Sequence, residues 1–127
     1  MKVFIVDDSR AFRKELINLL SKLKEVEIVG QAQDSVKAME AIQRLKPDAV
    51  ILGIPIPGGN GIRLVKNIKK DKLAPIVMIL THYPYRQYRK KYMDAGADFF
   101  FDKSTEFEKV IEVLKNLIKN PWGGNLV

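Results

Sequence analysis

Four polar residues in this chain have the chemistry to hold a phosphoryl group. Asp7 and Asp8 are adjacent carboxylates directly after an apolar run, a pairing suited to a hard divalent cation such as magnesium. Thr81 supplies a hydroxyl at the end of a later apolar run, and Lys103 an ammonium just past another. Two acids, a metal, a hydroxyl and a fixed cation together meet the charge on phosphoryl oxygens. Each residue alone has a plainer use, since acids after a strand cap helices and lysines coat surfaces. It is their joint recurrence at the ends of apolar runs that points to one site. Composition removes other chemistries. The 127 residues include no cysteine, which excludes a thiolate zinc site, an iron–sulfur cluster, a disulfide and a cysteine nucleophile. One histidine, His82, excludes a multi-histidine metal centre.

For those side chains to meet, the apolar runs before them must lie side by side. Five such runs alternate with helical patterns. Val3–Val6 is a continuous apolar run, as in a strand buried on both faces. Ser9 or Asp8 caps a helix with Phe12, Leu16, Leu19, Leu20 and Leu23 on one face. Val26, Ile28 and Val29 mark a second strand, and Asp34 caps a helix that Pro47 stops. Ala49–Leu52 is the third strand, followed by the proline- and glycine-rich loop 55–61 and a helix carrying Ile62, Val65 and Ile68. Ile76–Leu80 is the fourth strand, and a helix from Pro84 to about Asp94 stops at Gly96. Ala97 to Phe101 is the fifth strand, and Thr105 or Ser104 caps a last helix bearing Phe107, Val110, Ile111, Leu114, Leu117 and Ile118. Such alternation predicts a five-stranded parallel sheet, doubly wound, of α/β class. In such sheets sites form outside the carboxyl ends of the strands, where Asp7-Asp8, Gly53, Thr81-His82 and Asp102-Lys103 fall. One domain over 1–119 and a non-helical tail over 120–127 account for the chain. No apolar run approaches the ~18 residues of a membrane span, and Asp7 and Asp8 come too soon for a signal peptide. A cytoplasmic location without membrane association is therefore expected.

The motifs, taken together, resemble the receiver domains of two-component response regulators, over residues 2 to about 119. They are Val3-Phe4-Ile5-Val6-Asp7-Asp8-Ser9, Pro47-Asp48-Ala49-Val50-Ile51-Leu52, Pro57-Gly58 with Gly61, Ile79-Leu80-Thr81, Ala95-Gly96-Ala97-Asp98 and Asp102-Lys103. The resemblance implies a flavodoxin-like (βα)5 fold with strand order 2-1-3-4-5. It implies Asp7 and Asp8 as the acidic metal pair, with the backbone carbonyl of Pro55 as a third magnesium ligand. Thr81 and Lys103 match the family's hydroxyl and lysine, and Phe100 its switching aromatic. One position departs. Where the family has a phosphoacceptor aspartate after the third strand, this chain reads Ile51-Leu52-Gly53-Ile54-Pro55-Ile56-Pro57. Glycine forms no acyl phosphate and supplies no metal ligand. Asp48 is no substitute, five residues back and about 16 Å away at ~3.3 Å per strand residue. Gly53 is thus either a natural loss, giving a receiver that signals without phosphoryl transfer, or an engineered or polymorphic Asp-to-Gly change in an ordinary one. Magnesium binding is expected to be weak or absent. His82 beside Thr81 should narrow access to the pocket, and Ser104 in place of the family's proline makes the Lys103–Ser104 bond trans.

Net charge is +7, and residues 54–103 carry ten basic against four acidic side chains. The fourth helix interleaves Tyr85, Tyr88 and Tyr92 with Arg86, Arg89, Lys90 and Lys91. The plain reading makes the tyrosines the buried stripe. The functional one makes Tyr85, Tyr88, Arg89 and Tyr92, with Phe100, a switch and output face, because tyrosine and arginine anchor interfaces. In receivers the fourth helix, fifth strand and fifth helix form the usual output and dimer surface. A non-enzymatic signalling module follows, with a histidine kinase or downstream protein as partner and a possible homodimer on that face. The eight residues after 119 are too few for an attached helix-turn-helix. A basic nucleic-acid binder is the alternative of another class, and nucleic acid is the less expected partner. A phosphohydrolase of the haloacid-dehalogenase type needs Asp-x-Asp, which adjacent acids do not supply. No Gly-rich phosphate loop supports nucleotide binding.

Overall fold

Uninterrupted apolar runs need cover on both faces, and the sheet gives it to them. The fold is that of a computed structural model, which describes residues 1–58 and 60–120. The strands are β1 (Lys2–Val6), β2 (Glu27–Ala32), β3 (Ala49–Ile54), β4 (Ile76–Thr81) and β5 (Phe99–Asp102). The helices are α1 (Arg10–Leu20), α2 (Ser35–Leu45), α3 (Gly61–Ile68), α4 (Arg86–Ala95) and α5 (Lys109–Lys119). All strand pairs are parallel, in the order β2-β1-β3-β4-β5. This is the doubly wound, flavodoxin-like arrangement that the sequence predicts.

Because strand side chains alternate, each central strand feeds two cores. Phe4, Val6, Val50, Leu52 and Ile79 join residues of α2, α3 and α4 on one face. Val3, Ile5, Ile51, Met78 and Leu80 join Leu16 and Leu20 of α1 and Val110 and Leu114 of α5 on the other. Gly30 lets this packing close. A Cβ there would meet the Phe4 ring at 2.8 Å, and the β1–β2 register slips by one residue at that point.

Helix starts follow their caps. Ser9 accepts from the Phe12 amide at 3.1 Å, Asp34 from Lys37 at 2.8 Å and Asn60 from Ile62 at 2.8 Å. Two starts differ from the sequence expectation. α4 begins at Arg86, not in the turn of Pro84, because the Tyr83 amide donates to Thr81 Oγ1 at 2.9 Å and the Tyr85 amide to the Tyr83 carbonyl at 2.8 Å, holding the connection outside the helix. α5 begins at Lys109, not after Ser104 or Thr105. There the Ser104 amide donates to Asp102 Oδ1 at 2.8 Å and the Asp102 amide to Glu106 Oε1 at 2.9 Å, which builds turns instead. β5 runs two residues later at its start than the Ala97 expected and ends on Asp102, paired with Thr81 of β4. Of the expected 120–127 tail, all but Asn120 lies outside the described residues. Among the described residues, no helix is long and apolar enough to cross a membrane.

Candidate functional site

Parallel register brings the ends of β1, β3, β4 and β5 to one edge, and four expected residues arrive there with them. Asp7 follows β1 and is 1% exposed. The Ser9 amide donates to its Oδ1 at 2.8 Å and the Lys103 ammonium to its Oδ2 at 2.7 Å. Its carbonyl accepts from Arg13 at 2.6 Å, and that arginine is steadied by Gln31 at 2.7 Å. Lys103 follows β5. Its amide donates to the Thr81 carbonyl at 2.7 Å, and its Nζ stands 4.0 Å from the centroid of the Phe12 ring, a cation–π seat. With side-chain exposures of 10% and 1%, this ion pair lies largely out of water.

Gly53, the fifth residue of β3, is buried. A Cβ built on it would overlap Asp7 Oδ2 and lie 2.8 Å from Asp7 Cγ. The Asp7 carboxylate therefore fills the volume that a side chain at position 53 would occupy. Thr81 is 1% exposed, and its hydroxyl oxygen accepts from the Tyr83 amide. His82 Nδ1 lies 2.9 Å from Ser104 Oγ, so the two exposed residues bridge the loops after β4 and β5 at the rim. The Lys103–Ser104 bond is trans, and the cis bond among the described residues is Ile54–Pro55. Asp48, at the far end of β3, accepts from the Lys2 amide at 2.7 Å and takes no part.

The implied magnesium does not fit these residues as they stand. Both Asp7 oxygens are engaged, Asp8 points into solvent as an exposed residue, and Pro55 is likewise exposed. Among the described residues, no group of three His, Cys, Asp or Glu side chains is placed to hold a metal ion. The arrangement is an internally neutralised carboxylate with no open nucleophile at position 53.

The expected output face divides into two. Arg89 turns toward β5: it donates to the Phe100 carbonyl at 3.0 Å and its guanidinium carbon lies 6.0 Å from the Phe100 centroid. Phe100 is buried, with its ring 6.2 Å from that of Tyr92. Tyr92 packs on the start of α3, where a Cβ on Gly61 would overlap its hydroxyl. Burial raises the Tyr92 phenol above its ordinary value, and neighbouring Tyr88 adds to this. Tyr85 and Tyr88, by contrast, are exposed, so the three tyrosines are not one buried stripe. The plain reading holds for Tyr92 alone: Tyr85 precedes α4 as its N-cap residue, and Tyr88 in its first turn is exposed. Sequence reasoning missed Phe12 beneath Lys103, Arg13 on the Asp7 carbonyl, and Tyr83. Phe12 and Arg13 carry no signal beyond helix periodicity, whereas Tyr83 continues the tyrosine run and was legible in principle.

Residues 3–115 match the family described as "Response regulator receiver domain". The sensory transduction protein LytT of Bacillus anthracis is 34% identical over 119 residues, 94% of this chain and 48% of that protein. The DNA-binding transcriptional activator EvgA of Escherichia coli K12 is 30% identical over 115 residues, 91% of this chain and 56% of that one. The chain thus spans about half the length of these curated relatives. Among solved structures, the response regulatory domain of MrkE from Klebsiella pneumoniae superposes with a TM-score of 0.82 at 28% identity, covering 94% of this chain and 96% of that one. The response regulator domain of Thermotoga maritima CheB gives 0.80 at 28% identity, covering 94% of each.

Proposed function

Because the chain belongs to the receiver-domain family of two-component response regulators, we propose that it signals through protein contacts without phosphoryl transfer to an aspartate. The observation that carries this reading is the Asp7 carboxylate, paired with Lys103 in the space above Gly53. By the family's pattern Gly53 stands at the phosphoacceptor position. Thr81 and Lys103 are the remaining parts of a phosphoryl pocket, and Lys103 here serves as the counter-ion of Asp7. Residues 1–119 form the signalling unit.

Receiver domains typically bind magnesium at their acidic pocket. In this chain both Asp7 oxygens are engaged by Ser9 and Lys103, position 53 supplies no carboxylate, and Asp8 and the Pro55 carbonyl are left as the other candidate ligands, so magnesium binding is weak or absent. The partners are a histidine kinase or a downstream signalling protein, with α4, β5 and α5 as the face for a homodimer. The DNA binding named for EvgA belongs to that longer protein.

A second reading draws on the intact Asp7, Asp8, Thr81 and Lys103: an ordinary phosphoaccepting receiver with its aspartate replaced at position 53. One experiment addresses both. The chain and its Gly53→Asp variant are treated with acetyl phosphate and about 10 mM magnesium, and weighed intact by mass spectrometry. The chain is expected to gain no acid-labile phosphoryl adduct, and the variant to gain one. An aspartyl adduct on the unaltered chain overturns the proposal. A variant that takes up nothing removes the second reading.

A further inference from the structure

The exposed tyrosines have no role in the Asp7–Lys103 site or on the β5 side of α4. Tyr83, Tyr85 and Tyr88 are 51%, 56% and 43% exposed. Their rings form a chain, with centroids 6.3 Å apart between the first two and 5.8 Å between the last two. With buried Tyr92 behind them and Ile54 and Pro55 opposite, they wall an open groove of about 370 Å³. That is near the bottom of the ~300–1,000 Å³ range of small-molecule pockets. No charged residue lines it, and the hydroxyl of Thr81, its main polar feature besides the phenols, already accepts from the Tyr83 amide. Nothing converges to orient a small polar ligand. The shape suits one or two apolar side chains.

The charges on α3 and α4 are one-sided. α3 carries Arg63 and Lys66 and no acid. α4 carries Arg86, Arg89, Lys90 and Lys91 against Asp94, which Lys90 pairs at 2.8 Å. Arg89 is spent on the Phe100 carbonyl. Arg63, Lys66, Arg86 and Lys91 are exposed and make no ion pair among the described residues. Four exposed cations on α3 and α4, in no ion pair among the described residues, together with an uncharged aromatic groove on α4, call for an anionic partner with an apolar anchor. A second copy of a +7 chain brings the wrong sign. Successive bases of a single strand stack on aromatic faces, and although Tyr83 and Tyr85 are stacked, Tyr88 is tilted by 52° from Tyr85, so the three rings form no continuous platform. We propose that the groove between α4 and the loop after β3 docks an acidic segment of a partner protein through one aromatic or aliphatic anchor residue. This rests on the reading of the chain as a contact-driven signalling domain, and it places the contact on the α3 side of α4 rather than on the α4, β5 and α5 face.

The test uses ¹⁵N-labelled full chain and three probes of about 12 units: an Asp/Glu peptide with a central Phe-Leu pair, the same peptide with Ser-Ser there, and oligo-dT. The Phe-Leu peptide is expected to shift the amides of Ile54, Ile56, Tyr83, Tyr85 and Tyr88. It should bind at least about tenfold more tightly than the Ser-Ser peptide. Tyr85→Ala with Tyr88→Ala should weaken it at least about tenfold while leaving the melting temperature unchanged, since both rings are exposed. Arg86→Glu with Lys91→Glu should do the same by a charge route. Equal binding of the two peptides, tighter binding of oligo-dT, or shifts confined to another surface overturns the proposal. The phosphoryl mass measurement is independent of these titrations. Loss of peptide binding leaves the phosphorylation result standing, and an aspartyl adduct leaves the groove result standing.

Discussion

A Cβ on Gly53 would lie within 3.3 Å of three Asp7 side-chain atoms, and Asp7 is itself buried. Moving it breaks the 2.7 Å contact with Lys103. Alanine ordinarily gains about 0.5–1 kcal/mol over glycine inside a strand. Here overpacking of roughly 1–3 kcal/mol should outweigh that gain. We expect Gly53→Ala to be destabilised by about 1 kcal/mol in urea unfolding, the difference between the midpoints of those two ranges. A neutral or more stable variant means that Asp7 does not fill the space in solution. Lys103 is the other half of the same contact. Removing one partner of a buried pair leaves a stranded charge, at about 3–5 kcal/mol. Lys103→Met should therefore lose about 3 kcal/mol, and Asp7→Asn in the same chain should recover much of it. Two losses that simply add would show the pair to be uncoupled.

The turn between β5 and α5 shows where element-level reading of the sequence stops. Periodicity located all five strands and five helices, and Ser9 and Asp34 proved to be the caps expected of them. Ser104 and Thr105 looked like caps for α5 by residue type, yet Glu106 reaches back to the Asp102 amide and delays the helix to Lys109. Side-chain acceptors that capture the Asp102 and Ser104 amides leave no periodic trace. The Asp7–Lys103 contact is invisible for another reason, since its partners are 96 positions apart. What could be read was that both lie at strand ends on one edge; that Asp7 would fill the place of a side chain on Gly53 could not. Glu106 carries a pH dependence. The Asp102 amide, and then Lys109, hold its carboxyl below its ordinary 4.5. A depressed folded value contributes stability that is complete above 4.5 and is lost as pH falls through that lower value. Urea unfolding across this acid range should show a shallower loss in Glu106→Gln than in the parent. Parallel curves would mean that the turn does not depend on the ionised carboxylate.

Across the whole molecule, charge is arranged by end and by face. The carboxyl ends of the strands gather Asp7 and Asp8 with Lys103, while α3 and α4 carry the exposed cations Arg63, Lys66, Arg86 and Lys91. Gly53→Asp would put a third carboxylate at that end. At roughly 5 Å and an effective dielectric near 20, each added pair contributes about 3 kcal/mol of gross repulsion. The new side chain also displaces Asp7 from Lys103. We expect this variant to melt below the parent in EDTA, and about 10 mM magnesium to restore more of its melting temperature than it adds to the parent. A variant that melts higher in EDTA contradicts this view of the acidic edge. The distance along the chain between Asp7 and Lys103 also has a consequence in time. During synthesis β1 leaves the ribosome early, but its carboxylate waits for residue 103, roughly 5–20 s later at about 5–20 residues per second. Until then Asp7 has no cation and Phe12 no cover from Lys103. A nascent chain that has made four strands holds the Asp7 carboxylate at the edge of its own core without its lysine, and that contact closes only as β5 is added, ahead of α5.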